Sequence, residues 1–535
     1  MMNFTNLDAQ AFCAKYGIDQ VSQGLSLYLA NLIRGRSMTP RSWEYEHEDA
    51  QKVLSRWCEI MEEANSRSPF AEEFCNFDLK QVEKFGPQGG IPPIDSKEVS
   101  DVVEPLYSPS EYDDPRALEE WFPLAHEFGK ALFKSKLQRQ RPMSPEQVIK
   151  YMRLRDTLDT NSGFPRFTRR FKTALEEVRD AETLKAYDYP AVILLRYYYG
   201  KLRPVWMFPM STNLIEAGFQ VPIQKTIQEV KLTSPFAAAD YVSPWRGFEF
   251  VKETLTNQWN TWQGVILGGD TTKMDAHMRP AQLQLVYQIT KWLFQKQYWE
   301  ELERSLMHVN DIELLWKRSG DEFTVVTGVH GLASGSCWTQ LSETVLQLFM
   351  AYAKGIKGGQ GIGDDFYWLS DMSADALVDY LGEFGLPANP AKQSVEKDSL
   401  TFLQRYYHTG FFSRELGDTL GAYYPTVRAL GSILYPENFH SVKDNEGWSD
   451  LFCGRNYMIL ENCVDDPCFE EFVKFVAAGH SDMIPFAKKI RSDQQFAKHV
   501  RDRMRRLPGL WPSYNQEKLS KPLGAFEAIV LASEL

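Results

Sequence analysis

Apolar positions recur along this chain with two spacings, one helical and one alternating, and their succession predicts a mixed α/β (α+β) protein. Helical spacing dominates residues 1–65, cut by the basic loop Arg34-Gly35-Arg36 before Thr39-Pro40. Residues 86–115 carry many Pro, Gly, Ser and Asp and predict a long surface connection. Helical signals resume over 116–155. A turn at Asn161-Ser162-Gly163-Phe164-Pro165 then leads into the basic run Arg166, Arg169, Arg170 and Lys172. A strand is expected over 263–269, a long helix over 280–306, a helix entered through a glycine-rich loop over 338–353, and another over 373–384. Residues 391–408 read as a hairpin around Lys397-Asp398, and helical patterns return after residue 412. No internal repeat is evident.

Composition adds bounds. The 535 residues suffice for several subdomains, and 43% apolar with 24% charged residues is ordinary for a globular protein. A net charge of −12 argues against a surface coated with nucleic acid, but allows a basic internal channel in an acidic exterior. Seven cysteines without a Cys-x-x-Cys pair give neither a zinc signature nor a disulfide framework. No apolar run approaches the roughly 18–20 residues that span a bilayer, so no membrane partner is expected. The first residues lack the basic start and apolar stretch of a secretory signal.

The candidate chemistry centres on Gly363-Asp364-Asp365, followed by the apolar run Phe366-Tyr367-Trp368-Leu369. Two acids at a hairpin tip suit a divalent metal, although a solvated turn is the common role of such a pair. Upstream, Asp270 and Asp275 stand in Gly-Gly-Asp-Thr-Thr-Lys-Met-Asp, after Val265-Ile266-Leu267. Two carboxylate sources that converge on two metal ions are what nucleotidyl transfer requires. Asp275 could instead cap the following helix.

Four further stretches can serve the same chemistry. In Gly331-Leu332-Ala333-Ser334-Gly335-Ser336-Cys337-Trp338-Thr339-Gln340, small residues allow close backbone approach. There Ser334 could start the helix, with Thr339 one turn inside. Lys201 and Arg203, two apart on a predicted strand, share a face and can neutralise a triphosphate. Lys392 follows a turn and could act as a general acid. Phe402 to Tyr407 alternates like a strand, with Arg405 able to touch phosphate. Each also has a plain structural reading: a helix cap, a solvated strand face, a solvated lysine, a structural hairpin. Gly358-Gly359-Gln360-Gly361-Ile362-Gly363 superficially resembles a dinucleotide loop, but lacks the strand before it and the helix after it. In the C-terminal region Lys498, Arg501, Arg503, Arg505 and Arg506 form the densest basic cluster, on a helix expected to end at Pro508-Gly509.

In this order and spacing the set resembles a viral RNA-dependent RNA polymerase. Asp270 and Asp275 are similar to its motif A, Ser334, Gly335 and Thr339 to motif B, and Gly363-Asp364-Asp365 to motif C. Lys392 resembles motif D, Phe402 to Tyr407 motif E, Lys201 and Arg203 motif F, and Ser162-Gly163-Phe164-Pro165 a looser motif G. The wording Asp-Thr-Thr-Lys-Met-Asp-Ala-His-Met and Ser-Gly-Ser-Cys-Trp-Thr-Gln is most similar to polymerases of small bisegmented double-stranded RNA viruses, picobirnaviruses first and partitiviruses second.

The resemblance implies a right-hand fold of fingers, palm and thumb around an encircled active site. The corresponding division is an N-terminal bridge at 1–65, fingers at 66–206, palm at 207–304, a fingers return at 305–326, palm again at 327–411, and thumb with tail at 412–535. It implies two Mg2+ ions, with Mn2+ as the alternative, on Asp270, Asp364 and Asp365. It further implies NTPs at Lys201, Arg203, Asp275, Ser334, Gly335 and Thr339, and RNA template and product at Ser162, Gly163, Arg405, Arg503, Arg505 and Arg506. Replication and transcription inside a particle follow, with a viral capsid protein as partner, in the virion interior and host cytoplasm.

Two departures stand out. Glu343 replaces the Asn usual four residues after the motif B Thr, which shifts ribose selection toward Asp275 and Ser334. Residues 355–361 are glycine-rich, which predicts an irregular first arm for the motif C hairpin. The rival readings are a reverse transcriptase-like polymerase, disfavoured by the Ser-Gly-x-x-x-Thr helix and the Lys-x-Arg-Pro strand, and a non-catalytic viral RNA-binding protein.

Overall fold

The computed structural model describes residues 1–155, 157–230, 237–438, 447–506 and 521–535. Its strands are Asn3–Asp8 (β1), Ala191–Tyr198 (β2), Lys201–Met207 (β3), Ile266–Asp270 (β4), Leu314–Ser319 (β5), Glu322–Thr327 (β6), Gly359–Ile362 (β7), Asp365–Leu369 (β8), Ser394–Glu396 (β9), Ser399–Phe402 (β10) and Arg405–His408 (β11). They form a five-stranded sheet ordered β1-β6-β5-β2-β3, a four-stranded sheet ordered β7-β8-β4-β9, and the hairpin β10-β11. Helices make up most of the remainder.

The four-stranded sheet positions the acids. Phe366, Tyr367, Trp368 and Leu369 on β8 and Ile266 and Leu267 on β4 are all buried, so both faces of the pair are covered. The pairing is antiparallel, from Ile266↔Leu369 to Asp270↔Asp365. Only the end of the glycine-rich arm becomes strand: β7 pairs with β8 from Gly359↔Trp368 to Ile362↔Asp365, while residues 355–358 precede it and Gly359 has φ 151°. Glycine is there for clearance, since a Cβ on Gly361 would lie 2.4 Å from Gln347 Oε1.

Other expectations shift similarly. The N-terminus begins with a strand, β1, whose partner β6 lies more than 300 residues on. Residues 86–115 are more than a surface connection. They hold the helix Lys97–Val103, and Val99, Val103, Leu106 and Tyr107 enter the core. The helix expected over 280–306 is two, Pro280–Thr290 and Trp299–His308, because the buried Phe294 adopts an extended conformation where the chain bridges to Gln140. The expected turn at Lys397-Asp398 gives way to one at Leu403-Gln404, both with positive φ, of 50° and 62°. Two-residue hairpin turns favour such angles, usually with Asn or Gly. Here Asp365 Oδ2 accepts from Leu403 N at 2.9 Å and helps hold the turn.

Residues 1–65 divide between two cores. Phe12, Tyr16, Leu25 and Leu29 pack with β2, β5 and β6. Val53, Trp57 and Met61 pack with the C-terminal helices Thr426–Leu434 and Phe469–Ala477. A second link closes a ring. Near the tip of the β2–β3 hairpin, Arg196 binds Glu437 through two hydrogen bonds of 2.7 Å, and Tyr199 Oη donates to Arg428 O at 2.9 Å.

Asp78 is fully buried where these parts meet. The helix Thr426–Leu434 starts after Pro425, which offers no side-chain cap. Asp78 caps it from a distance, accepting from Tyr423 Oη, Thr426 N, Thr426 Oγ1 and Val427 N at 2.6–2.8 Å. Asp78→Ala leaves several buried donors without an acceptor and is expected to cost on the order of 3 kcal/mol, read as a lower urea midpoint.

Candidate active site

Strand register brings the acids together. Asp270 ends β4 directly opposite Asp365, and Asp364 occupies the turn between β7 and β8. Asp270 and Asp364 are exposed, whereas Asp365 turns inward toward Leu403 N. Burial pushes the Asp365 carboxyl up to about 7; the Leu403 amide opposes this, and the charges of Asp364 and Asp270 add to it. The three acids therefore feel one another. Gln393, which sequence reasoning missed, pins the backbone of Asp270: its Oε1 accepts from Asp270 N at 2.9 Å and its Nε2 donates to Asp270 O at 2.8 Å. It thus extends the β9 pairing by a side chain.

Two open, mutually repelling carboxylates beside a third fit hard divalent cations by their donor chemistry. Among the described residues no group of three or more Asp, Glu, His or Cys is by itself arranged to hold a metal ion. An ion there would draw further oxygens from water or phosphate, as Mg2+ commonly does.

Asp275 lies in the short helix Met274–His277, whose N-cap position is Lys273, so it is not the cap. It is accessible to solvent and yet surrounded by protein, as a residue lining an internal channel is. Burial raises its carboxyl, the Asp364 charge adds to this, and a hydrogen bond to Glu343 and the Arg203 charge oppose it. Glu343, on the helix Trp338–Lys354, is raised further, chiefly by burial and then by the charges of Asp275 and Asp364. Burial thus favours the neutral form of Glu343, which is hydrogen-bonded to Asp275. That same helix secures the motif C turn: Thr344 Oγ1 accepts from Gly363 N at 2.9 Å, and Gln347 Nε2 donates to Gly363 O at 2.5 Å.

The loop before this helix is held by β3. Ser334 is not the helix start, which falls at Trp338; its Oγ donates to Pro204 O at 3.2 Å. Gly335 has φ 120° and packs where a Cβ would lie 2.0 Å from Trp206 O. Thr339 is half-buried and donates back to Ala333 O. Beneath them lies Glu216, a second residue the sequence did not reveal. It projects from the helix Met210–Glu229 and is 1% exposed. It accepts from Ser336 Oγ at 2.7 Å, Cys337 N at 2.8 Å and Asn213 Nδ2 at 3.1 Å. Asn213 Oδ1 in turn accepts from Arg170, whose Nε donates to Asn161 O. A polar chain thus runs from the 161–165 turn to the 331–338 loop. No short sequence motif announces it, because its members are far apart in the chain.

The remaining expectations divide. Lys201 and Arg203 lie exposed on β3, and the Arg203 charge reaches Asp275. Lys392 is exposed in the turn Pro390–Lys392. Ser162 and Gly163, expected at the RNA, are buried in their turn. Arg405 is likewise withdrawn: it is 5% exposed, donates to Asn462 O and Oδ1, and stacks on Phe248 and Tyr424. Arg503 and Arg505 lie half-buried on the helix Gln494–Arg506, with Arg503 packed against Gly447. The Arg506 side chain and Pro508-Gly509 lie outside the described residues.

A sheet carrying paired acids, a helix behind their turn and a ring closed by a basic-edged hairpin make this the right-hand polymerase fold. Solved structures share this fold over about nine-tenths of the chain. The crystal structure of the RNA-dependent RNA polymerase of a human picobirnavirus matches with a TM-score of 0.70 and 22% identity, over 90% of this chain and 92% of that one. Its insertion loop deletion mutant gives 0.71 and 23%, over 89% and 95%. In sequence, a potential RNA-dependent RNA polymerase of Human picobirnavirus (strain Human/Thailand/Hy005102/-) is 24% identical over 493 residues, 85% of each chain. No protein-family model matches. No helix among the described residues is long and apolar enough to cross a membrane.

Burial holds the Glu216 carboxyl up, from 4.5 to about 7. Its folded value exceeds the unfolded one, so its contribution to stability is complete below the unfolded value and lost as pH rises through about 7. Glu216→Gln should remove this component. The difference in urea stability between about pH 5 and about pH 8 should shrink by about 1–3 kcal/mol.

Proposed function

We propose that the chain is an RNA-dependent RNA polymerase that replicates and transcribes a double-stranded RNA genome. The observation that carries the reading is the register of β4 on β8, which sets Asp270 beside the Asp364-Asp365 turn, with Asp275 and the Arg203 charge in the same channel. The likeness to picobirnavirus polymerases, over 85–90% of the chain, supports it.

In the reaction the 3′-hydroxyl oxygen of the growing strand bonds to the α-phosphorus of an NTP, the hydroxyl proton departs, and the α–β bridging bond breaks to release pyrophosphate. Asp270 and Asp364, supported by Asp365, are the residues that would hold two Mg2+ or Mn2+ ions. Bound there, the ions would favour the attacking alkoxide and steady the leaving pyrophosphate. Lys201 and Arg203, on one exposed strand face, receive the triphosphate. Asp275, oriented by Glu343, accepts a hydrogen bond from the ribose 2′-hydroxyl beside Ser334, Gly335 and Thr339. Lys392, exposed in its turn, would protonate pyrophosphate. The thumb cations Arg503 and Arg505 grip product phosphates without reading sequence.

On this reading residues 1–65 bridge fingers and thumb, 66–206 with 305–326 form fingers, 207–304 with 327–411 form palm, and 412–535 form thumb and tail. A capsid protein would be the partner and the virion interior or host cytoplasm the place of action.

Asp270→Asn and Asp364→Asn should each lower RNA-templated nucleotide incorporation by about 10²–10³-fold while leaving the thermal midpoint in place. The assay uses RNA and DNA templates with ribo- and deoxyribonucleotides, so a preference for DNA synthesis would establish the reverse transcriptase alternative instead. Asp275→Ala should narrow the ratio of ribonucleotide to deoxyribonucleotide kcat/KM, because a site built for a hydroxyl rejects the analogue that lacks it. An unchanged ratio would remove Asp275 from sugar selection.

A further inference from the structure

A cleft of about 620 Å³ opens on the outside of the molecule between the helix Pro145–Leu154 and the far half of the helix Met210–Glu229. It shares no residue with the carboxylate site. Arg141, Lys150 and Lys225 line it, all exposed, and no carboxylate does. In a chain of net charge −12 that is a local inversion of sign. Tyr151 forms part of the wall. Lys225 Nζ lies 5.2 Å from its ring centroid, and Arg155 donates to its hydroxyl at 2.8 Å. Leu154, 79% exposed, adds an apolar edge.

Among the described residues none of Arg141, Lys150, Arg155 and Lys225 forms an ion pair, although other exposed cations nearby do. Lys136, for one, pairs with Glu229 at 3.2 Å. The nearest acid on the same helix, Glu146, is engaged by the Ser144 hydroxyl at 2.8 Å. Unpaired cations spaced around an aromatic ring and an apolar edge match one class of ligand well. A flexible polyanion with flat faces satisfies the charges through its phosphates and the ring through stacking. A duplex hides its base faces, and a free nucleotide would leave most of the cations unused.

We propose that this cleft binds single-stranded RNA outside the polymerisation channel, holding phosphates on Arg141, Lys150 and Lys225 and a base against Tyr151. Such a site would keep a template or transcript end on the enzyme while the channel works on another stretch. The inference rests on the polymerase reading for its choice of nucleic acid, but its test reads binding, so the two can fail separately.

The test titrates a short oligouridylate into the full chain whose channel is already loaded with a primer–template RNA hairpin. Single-nucleotide addition on that hairpin is measured alongside. The wild type should take up one further oligouridylate. R141A/K150A/K225A should lose that equivalent, keep nucleotide addition on the hairpin, and show, in the unloaded state, a salt dependence of total strand binding shallower by about 2 in log–log slope. Tyr151→Ala should weaken the second binding without changing the slope. No further uptake by the loaded wild type would overturn the proposal, as would unchanged uptake by the triple variant. Equal displacement of the strand by oligo-aspartate at matched charge would also overturn it, in favour of an acidic protein partner.

Discussion

The pairing of β4 with β8 is the constraint on which the rest depends. Side chains along a strand alternate faces, so a slip of one residue would turn Asp270 away from Asp364-Asp365 and swap the buried side chains below them between the two packed faces. The register is held by hydrophobic burial at one end and carries repelling carboxylates at the other. The energy that forces the acids together therefore comes from Ile266, Leu267 and the Phe366–Leu369 run. The glycines of β7 belong to this arrangement. They let the third strand lie close to the helix Trp338–Lys354, whose Thr344 and Gln347 then hold the turn.

Around that sheet, carboxylates and amides from distant segments replace local capping. Asp78 serves a helix start that Pro425 cannot cap, Glu216 holds the 331–338 loop, Asp365 holds a hairpin turn of unfavourable sequence, and Gln393 extends a strand. Each is a case of the same rule: a buried backbone donor must find an acceptor, and tertiary contact supplies it where the local sequence does not. The result ties the β2–β3 hairpin, the 331–338 loop and the C-terminal helices to distant segments, so the geometry of the acids rests on contacts far along the chain.

Charge is arranged with the same economy. The acidic total does not prevent local basic surfaces, because the cations on β3 are exposed, with the Arg203 charge acting on Asp275, and those of the outer cleft face solvent without carboxylates among them. Arg405 and Arg170 look equally available in the sequence, yet both are consumed by internal partners.

The sequence by itself determined the nature of the site. Asp270, Asp275 and the Gly363-Asp364-Asp365 turn, the helix from Trp338 and the cations of β3 were legible because each is a short segment whose local pattern sets its own conformation. The right-hand fold was legible because those segments occur in a recognisable order. Tertiary structure alone decided which of them meet. It withdrew Arg405, Ser162 and Gly163 from the surface, recruited Glu216 and Gln393, drew the end of a glycine-rich arm into a strand and moved a hairpin turn to Leu403-Gln404. The physical reason is range. Periodicity and turn chemistry act over a few residues, whereas the pairing of buried polar groups and the clearance between packed backbones depend on segments hundreds of residues apart, which no local pattern encodes.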